Sequence, residues 1–146
     1  MLCPAGRRRA VQPHPAGRRC RVFLAIRGVK VALTTGFARE TQNAIIEALG
    51  WQDIADAVLC PGPGVRGRPY PDLALAALMQ TETDAVQSML VVGDTSSDVI
   101  TGLRAGARAS VGVLTGAHNA AQLSAAGATH ILDSVADLPG LVATLG

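Results

Sequence analysis

Two carboxylates four residues apart are the first place to look for chemistry. In Gly93-Asp94-Thr95-Ser96-Ser97-Asp98, the apolar run Met89 to Val92 delivers Asp94 to a strand end, and Asp98 opens the helical segment that follows. This spacing lets both carboxylates converge on one hard cation. Mg²⁺ takes oxygen ligands at about 2.0–2.1 Å and usually keeps waters and a phosphate oxygen in its shell. The glycine permits a tight turn, and the small Thr and Ser side chains leave room for a ligand. A plainer reading competes. Asp98 would cap the helix and Asp94 would end a strand, because acids collect at helix starts.

Two other loops carry suitable groups. Thr34-Thr35-Gly36 offers hydroxyls and backbone N–H groups at a helix N-terminus, a combination that suits phosphate and is equally that of an N-cap. Gly67-Arg68-Pro69-Tyr70-Pro71 places a guanidinium in a stiff loop entering a helix. Arg offers bidentate donors to phosphate or carboxylate. Arg66 competes for that role, and a lone Arg is more often simply solvated. His118 and His130 are the remaining titratable candidates. His118 follows Leu114-Thr115-Gly116 and reads as a solvated loop histidine at the site's edge. Trp51 and Tyr70 are expected to pack against helices.

The elements that must position these groups alternate. Val31 to Thr34, Ala55 to Cys60, Met89 to Val92, Ala109 to Leu114 and His130 to Leu132 read as short buried strands. Helices are expected over Ala38 to Leu49 with Gly50 as the stop, and from Pro71 to about Gln80. Three more are expected, over Asp98 to Ala105 with Gly106 closing it, Ala117 to Ala126 ending at Gly127, and Ser134 to Leu145. Strands alternating with helices predict an α/β fold with a parallel sheet covered on both faces. Right-handed crossovers then bring the strand-to-helix loops to one sheet edge, where open α/β folds bind ligands.

The bulk properties agree with that class. The 146 residues fit one domain of ordinary size. Apolar residues make up 49% and aromatics only 3%, so the core must be built from Ala, Val, Leu and Ile. No apolar run approaches the roughly 20 residues of a membrane span, so no membrane partner is expected. Cys3, Cys20 and Cys60 form no CxxC pair, which argues against a disulfide framework or zinc site and for a cytoplasmic setting.

The net charge of +2 conceals an asymmetry. Residues 1–30 carry eight basic side chains and no acid, whereas the rest of the chain carries five basic and all eleven acidic residues. Residues 1–21 read as a disordered basic segment rich in Arg, Pro and Gly, and residues 22–146 as the folded unit. Without aromatic interleaving, the basic segment does not predict nucleic-acid binding.

Taken together, the three loops resemble the second, third and fourth motifs of the haloacid-dehalogenase (HAD) superfamily. These are a Ser/Thr ending a strand, a Lys or Arg before a Pro-rich helix start, and an acidic GDxxxD loop. The resemblance is closest to the phosphonatase-like subgroup, typified by phosphonoacetaldehyde hydrolase. It rests on Val31-Ala32-Leu33-Thr34-Thr35-Gly36-Phe37-Ala38-Arg39-Glu40, Gly67-Arg68-Pro69-Tyr70-Pro71 and Val92-Gly93-Asp94-Thr95-Ser96-Ser97-Asp98. The resemblance implies a three-layer, parallel-sheet, Rossmann-like HAD core. It implies that Thr35 bonds the transferring phosphoryl group and that Arg68 stabilises its charge. Thr34, Gly36 and Thr95 would line the substrate, and Asp94 and Asp98 would hold Mg²⁺, directly or through water. The implied substrate is a small phosphorylated or phosphonate metabolite.

The superfamily's first motif, DxDx(T/V), has no counterpart here, since no acid precedes Glu40 and no Asp precedes Asp53. The aspartyl nucleophile is therefore missing from this sequence, as is the helical cap that lies between the first two motifs in these relatives. Lys30, the only lysine, is not assigned the cap's Schiff-base role. The expected core thus lacks its first, central strand. A gap is expected between the second-motif and fourth-motif strands, with open edges that invite self-association and give marginal stability. Arg21 to Ile26 is expected to be a helix leading into Val31 rather than a replacement strand. Two other functions compete with an active hydrolase: a catalytically inactive truncated remnant, and a flavodoxin-like small-ligand or phosphate-binding module.

Overall fold

A computed structural model describes residues 28–146. The basic segment over 1–21 and the helix expected at Arg21 to Ile26 lie outside the described residues. The first strand, β1 (Ala32–Thr34), pairs in parallel with β2 (Ala57–Leu59), Ala32 opposite Ala57 and Thr34 opposite Leu59. Between them runs α1 (Arg39–Leu49). Gly50 stops this helix in the left-handed region, at φ 63°, where a residue without Cβ carries no steric penalty. The Asp56 carboxylate accepts the Val31 N–H at 2.7 Å and so fixes the start of β1.

The second half of the chain repeats the alternation on a larger scale. After α2 (Asp72–Gln80), β3 (Leu90–Gly93), β4 (Ala109–Val113) and β5 (His130–Leu132) form a parallel sheet in that order. The crossovers are α3 (Ser96–Ala105) and α4 (Ala120–Ala125), and α5 (Leu138–Leu145) closes the chain. β4 is buried at every position, as a strand flanked on both sides and covered on both faces must be. Ala109, Val111 and Leu123 are fully buried, and Val99 and Leu73 nearly so. The buried Ser110 is satisfied, its hydroxyl donating to the Val99 carbonyl at 2.7 Å and its N–H to Thr129 Oγ1 at 2.9 Å.

The fold is α/β with parallel sheets, as expected. Among the described residues the strands form two sheets, β1-β2 and β3-β4-β5, with no ladder joining them. That is the arrangement anticipated for a core without a strand between the second and fourth motifs. α2 bridges the halves, lying on β1 and β2 and against α3.

Three helix boundaries differ from expectation, each for a local reason. α3 starts at Ser96, because Thr95 is the N-cap and Asp98 the third helical residue, closing a reciprocal capping box. α4 spans only Ala120–Ala125, because Asn119 and Gln122 form a second capping box and residues 116–118 are held elsewhere. The terminal helix begins as a 3₁₀ turn, Val135–Asp137, capped by Ser134.

Candidate functional site

Gly93 ends β3, and the chain turns sharply to place Asp98 against it. A Cβ at Gly93 would stand 2.2 Å from Asp98 Cβ, so only glycine fits. Asp98 is buried, and both of its oxygens are engaged. Oδ2 accepts the Asp94 and Thr95 N–H groups at 3.1 Å each and the Thr95 hydroxyl at 2.8 Å. Oδ1 accepts from the Arg68 guanidinium at 2.5 Å. The plain reading of Asp98 as a cap is therefore correct as far as it goes. The same side chain also fastens the Arg68 loop to the acidic loop. The hydroxyl of Thr95, expected to line the substrate, is occupied by this cap.

Asp94 stands differently. Its Oδ2 accepts the Ala117 N–H at 3.0 Å, and its Oδ1 has no hydrogen-bond partner among the described residues. Gly116 clears space for this carboxylate, since a Cβ there would lie 1.9 Å from Oδ2. No group of three or more His, Cys, Asp or Glu side chains among the described residues could form an all-protein metal cage. A half-satisfied carboxylate at a sheet rim nevertheless fits Mg²⁺, which is commonly held by one or two carboxylates with water and phosphate completing the shell.

The two candidate arginines are held differently. Arg66 is clamped to Asp72, with Nε and one terminal nitrogen on the two carboxylate oxygens at 2.9 and 2.8 Å, and its own N–H adds a third bond at 2.8 Å. The Arg66 guanidinium holds the Asp72 carboxyl down to about 2. Arg66 also lies over the Tyr70 ring, 4.1 Å from its centre, while Arg104 NH1 donates to the Pro69 carbonyl at 3.4 Å. Tyr70, expected to pack against a helix, is 44% exposed and meets α3 through Arg104, 5.9 Å from its ring centre. These contacts fix the 66–72 loop, and Arg68 is the guanidinium it presents. A Cβ at Gly36 would come 3.3 Å from a terminal nitrogen of Arg68, so the turn after β1 and the Arg68 loop are neighbours.

In that turn, Thr35 Oγ1 accepts the Phe37 N–H at 2.8 Å, which leaves the hydroxyl proton free to donate. Thr34 is exposed at the end of β1. The Leu59 carbonyl accepts both the Thr35 N–H, at 3.2 Å, and the buried Gln42 Nε2, at 2.7 Å. Sequence reasoning misses Gln42, because a polar residue in an amphipathic helix reads as solvent-facing. His118 is not the solvated residue expected of a loop histidine. It is half-buried, with Nδ1 at 2.9 Å from the Ser96 backbone nitrogen. His130 Nδ1 lies 3.0 Å from the hydroxyl of its neighbour Thr129.

Residues 65–138, just over half of the chain, match the HAD-hydrolase-like family. The chain belongs to that family. Among curated proteins, "Probable phosphatase IndB" of Dickeya dadantii is 31% identical over 113 residues, covering 77% of this chain and 48% of that protein. Phosphonoacetaldehyde hydrolase of Bacillus cytotoxicus is 34% identical over 97 residues, covering 64% and 36% respectively. The chain thus spans half or less of these relatives' length. Among solved structures, a phosphonoacetaldehyde hydrolase-like protein from Oleispira antarctica superposes with a TM-score of 0.80 at 28% identity, over 90% of this chain and 56% of that one. A HAD family hydrolase from Deinococcus radiodurans, solved with bound phosphate and sodium, gives 0.81 at 28%, over 91% and 60%. The chain is thus similar to phosphonoacetaldehyde hydrolase and to other members of the HAD family. No helix among the described residues is long and apolar enough to cross a membrane.

Proposed function

We propose that this chain supplies the cation-binding and phosphoryl-binding part of a Mg²⁺-dependent HAD hydrolase acting on a small phosphorylated or phosphonate metabolite. The observation that carries the reading is a continuous line of contacts through three loops. Gly36 lies beside Arg68, Arg68 bonds Asp98, and Asp98 bonds the backbone of Asp94. Phosphoryl transfer needs positioning and charge neutralisation more than covalent chemistry from these groups.

Each residue then has a role at a stated atom. Asp94 offers Oδ1 to the cation while Ala117 holds Oδ2. Asp98 acts one step back, through Arg68 and through water, since both its oxygens already accept protein donors. Arg68 spends one N–H on Asp98 and keeps others for a phosphoryl oxygen. Thr35 donates its free hydroxyl proton, with Thr34 and Gly36 shaping the same turn. Bound Mg²⁺ would supply positive charge to the phosphoryl oxygens and fix the group's orientation.

The family's covalent route also needs an attacking carboxylate. No acid precedes Glu40 in this sequence, so the 146-residue chain holds half of such a site. A phosphatase assay with p-nitrophenyl phosphate and Mg²⁺ is expected to show no turnover by this chain. Clear Mg²⁺-dependent turnover abolished by Asp94→Asn would contradict the half-site and make the chain a complete enzyme.

A further inference from the structure

Asp94 is held from outside its own loop by Gly116-Ala117-His118, the turn that follows β4. Ala117 N–H donates to Asp94 Oδ2 at 3.0 Å, and His118 N–H donates to the Asp94 backbone carbonyl at 3.2 Å. The His118 ring then reaches back to the start of α3. Its Nδ1 lies 2.9 Å from the Ser96 backbone nitrogen and 3.0 Å from Ser96 Oγ. An amide N–H can only donate, so Nδ1 accepts, and the neutral ring carries its proton on Nε2. Ser96 is the first helical residue of α3, and its amide has no partner inside the helix. His118 supplies that partner. One residue therefore bonds the backbone at Asp94 through its amide and two residues later through its ring.

We infer that His118 is a positioning residue for the cation, a role that rests on the metal reading above. With the backbone pinned at Asp94 and Ser96 and with Oδ2 held by Ala117, Asp94 has one orientation, and Oδ1 is the atom left for the metal. Partners of this kind, which touch a ligand residue but not the ion, typically contribute about 10–100-fold to metal affinity. Asparagine tests the geometry cleanly, because its side-chain oxygen stands about where Nδ1 does and can accept the Ser96 N–H. Phenylalanine fills similar space with no acceptor.

The experiment uses the full chain and Mn²⁺ as the probe, with free Mn²⁺ read by electron paramagnetic resonance. The expected result is uptake by the wild type that Asp94→Asn abolishes. His118→Phe should weaken uptake about tenfold or more, and His118→Asn should restore it to within about threefold. The Ser96 amide resonance, followed by NMR without metal, should move in His118→Phe and return in His118→Asn. Should His118→Phe not fold, His118→Ala is read in its place. Equal Mn²⁺ uptake by wild type and the acceptor-less variant overturns the role of His118 and leaves the metal reading intact. A wild type that takes up no Mn²⁺, or an Asp94→Asn variant that takes up as much, overturns the metal reading itself and this role with it.

Discussion

Asp98, in the three-stranded half, receives donors on both carboxylate oxygens, and Asp94 beside it is held by a turn from the next strand. Thr35, in the two-stranded half, sits on three-residue strands, held by one turn bond and by its N–H on Leu59. The acidic loop is thus over-determined, whereas the hydroxyl turn is lightly framed. The difference follows from burial. β4 gives the acidic loop a strand buried at every position to lean on, while the residues from Gly36 to Arg39 are exposed. On the proposed reading, a group that holds a cation against its own desolvation cost gains from rigidity. On the same reading, a hydroxyl that donates to a phosphoryl oxygen is fixed in part by the ligand itself. The 66–72 loop joins the two halves, and Arg68 is its point of contact with the acidic loop.

The largest expected effect tests whether the three-stranded half is the stable one. Leu123→Ala removes a fully buried side chain packed over Gly112 and should cost about 3–5 kcal/mol in chemical denaturation. Leu59→Ala, in the smaller sheet, should cost about 2 kcal/mol, because a two-stranded frame can relax around the loss. Equal costs would erase the contrast. Next in size is Asp98→Ala, which removes the acceptor for Arg68 and for three local donors. About 3 kcal/mol is expected, discounted from a fully buried pair because the Arg68 side chain is 33% exposed.

Gln42→Leu sharpens the comparison from the other side. It deletes the buried bond to Leu59 and should cost about 1 kcal/mol by thermal melting. Phosphate affinity should fall with it, since the Thr35 turn hangs on the same carbonyl. The smallest effect is acid-dependent. Asp72 is lowered from 3.8 to about 2 by its bonds to Arg66, so its contribution is present in full above about pH 4. It is lost as pH falls through about 2. The melting difference between wild type and Asp72→Asn should therefore vanish over that window, and a difference that persists at lower pH would remove Arg66 as its cause.

Much of this is legible in the sequence because strand ends and loop chemistry are local. Among the described residues, each of the five expected strands and five expected helices is present, with three helix starts displaced, and His130–Leu132 agrees to the residue. The three candidate loops come from residue type and order together with the resemblance to the HAD motifs, and the chain brings Gly36, Arg68 and Asp98 near one another. What escapes a sequence is long-range. Nothing local marks Gln42 as bonded to the Leu59 carbonyl, His118 as the cap of a helix 22 residues earlier, or Arg66 as bound to Asp72. The capping boxes are a different matter, since their spacing is local. Asn119 with Gln122, and Thr95 with Asp98, set the true starts of α4 and α3, and hydrophobic periodicity alone places those starts wrongly.

The central claim is that Asp94 brings a divalent cation to a phosphoryl site completed by Arg68 and Thr35. Calorimetric titration of inorganic phosphate into the chain, with and without Mg²⁺, tests it most directly. Mg²⁺ is expected to tighten phosphate binding at least about tenfold, and Asp94→Asn to remove that gain. Phosphate affinity that ignores Mg²⁺, or an Mg²⁺ effect that survives Asp94→Asn, would contradict the account.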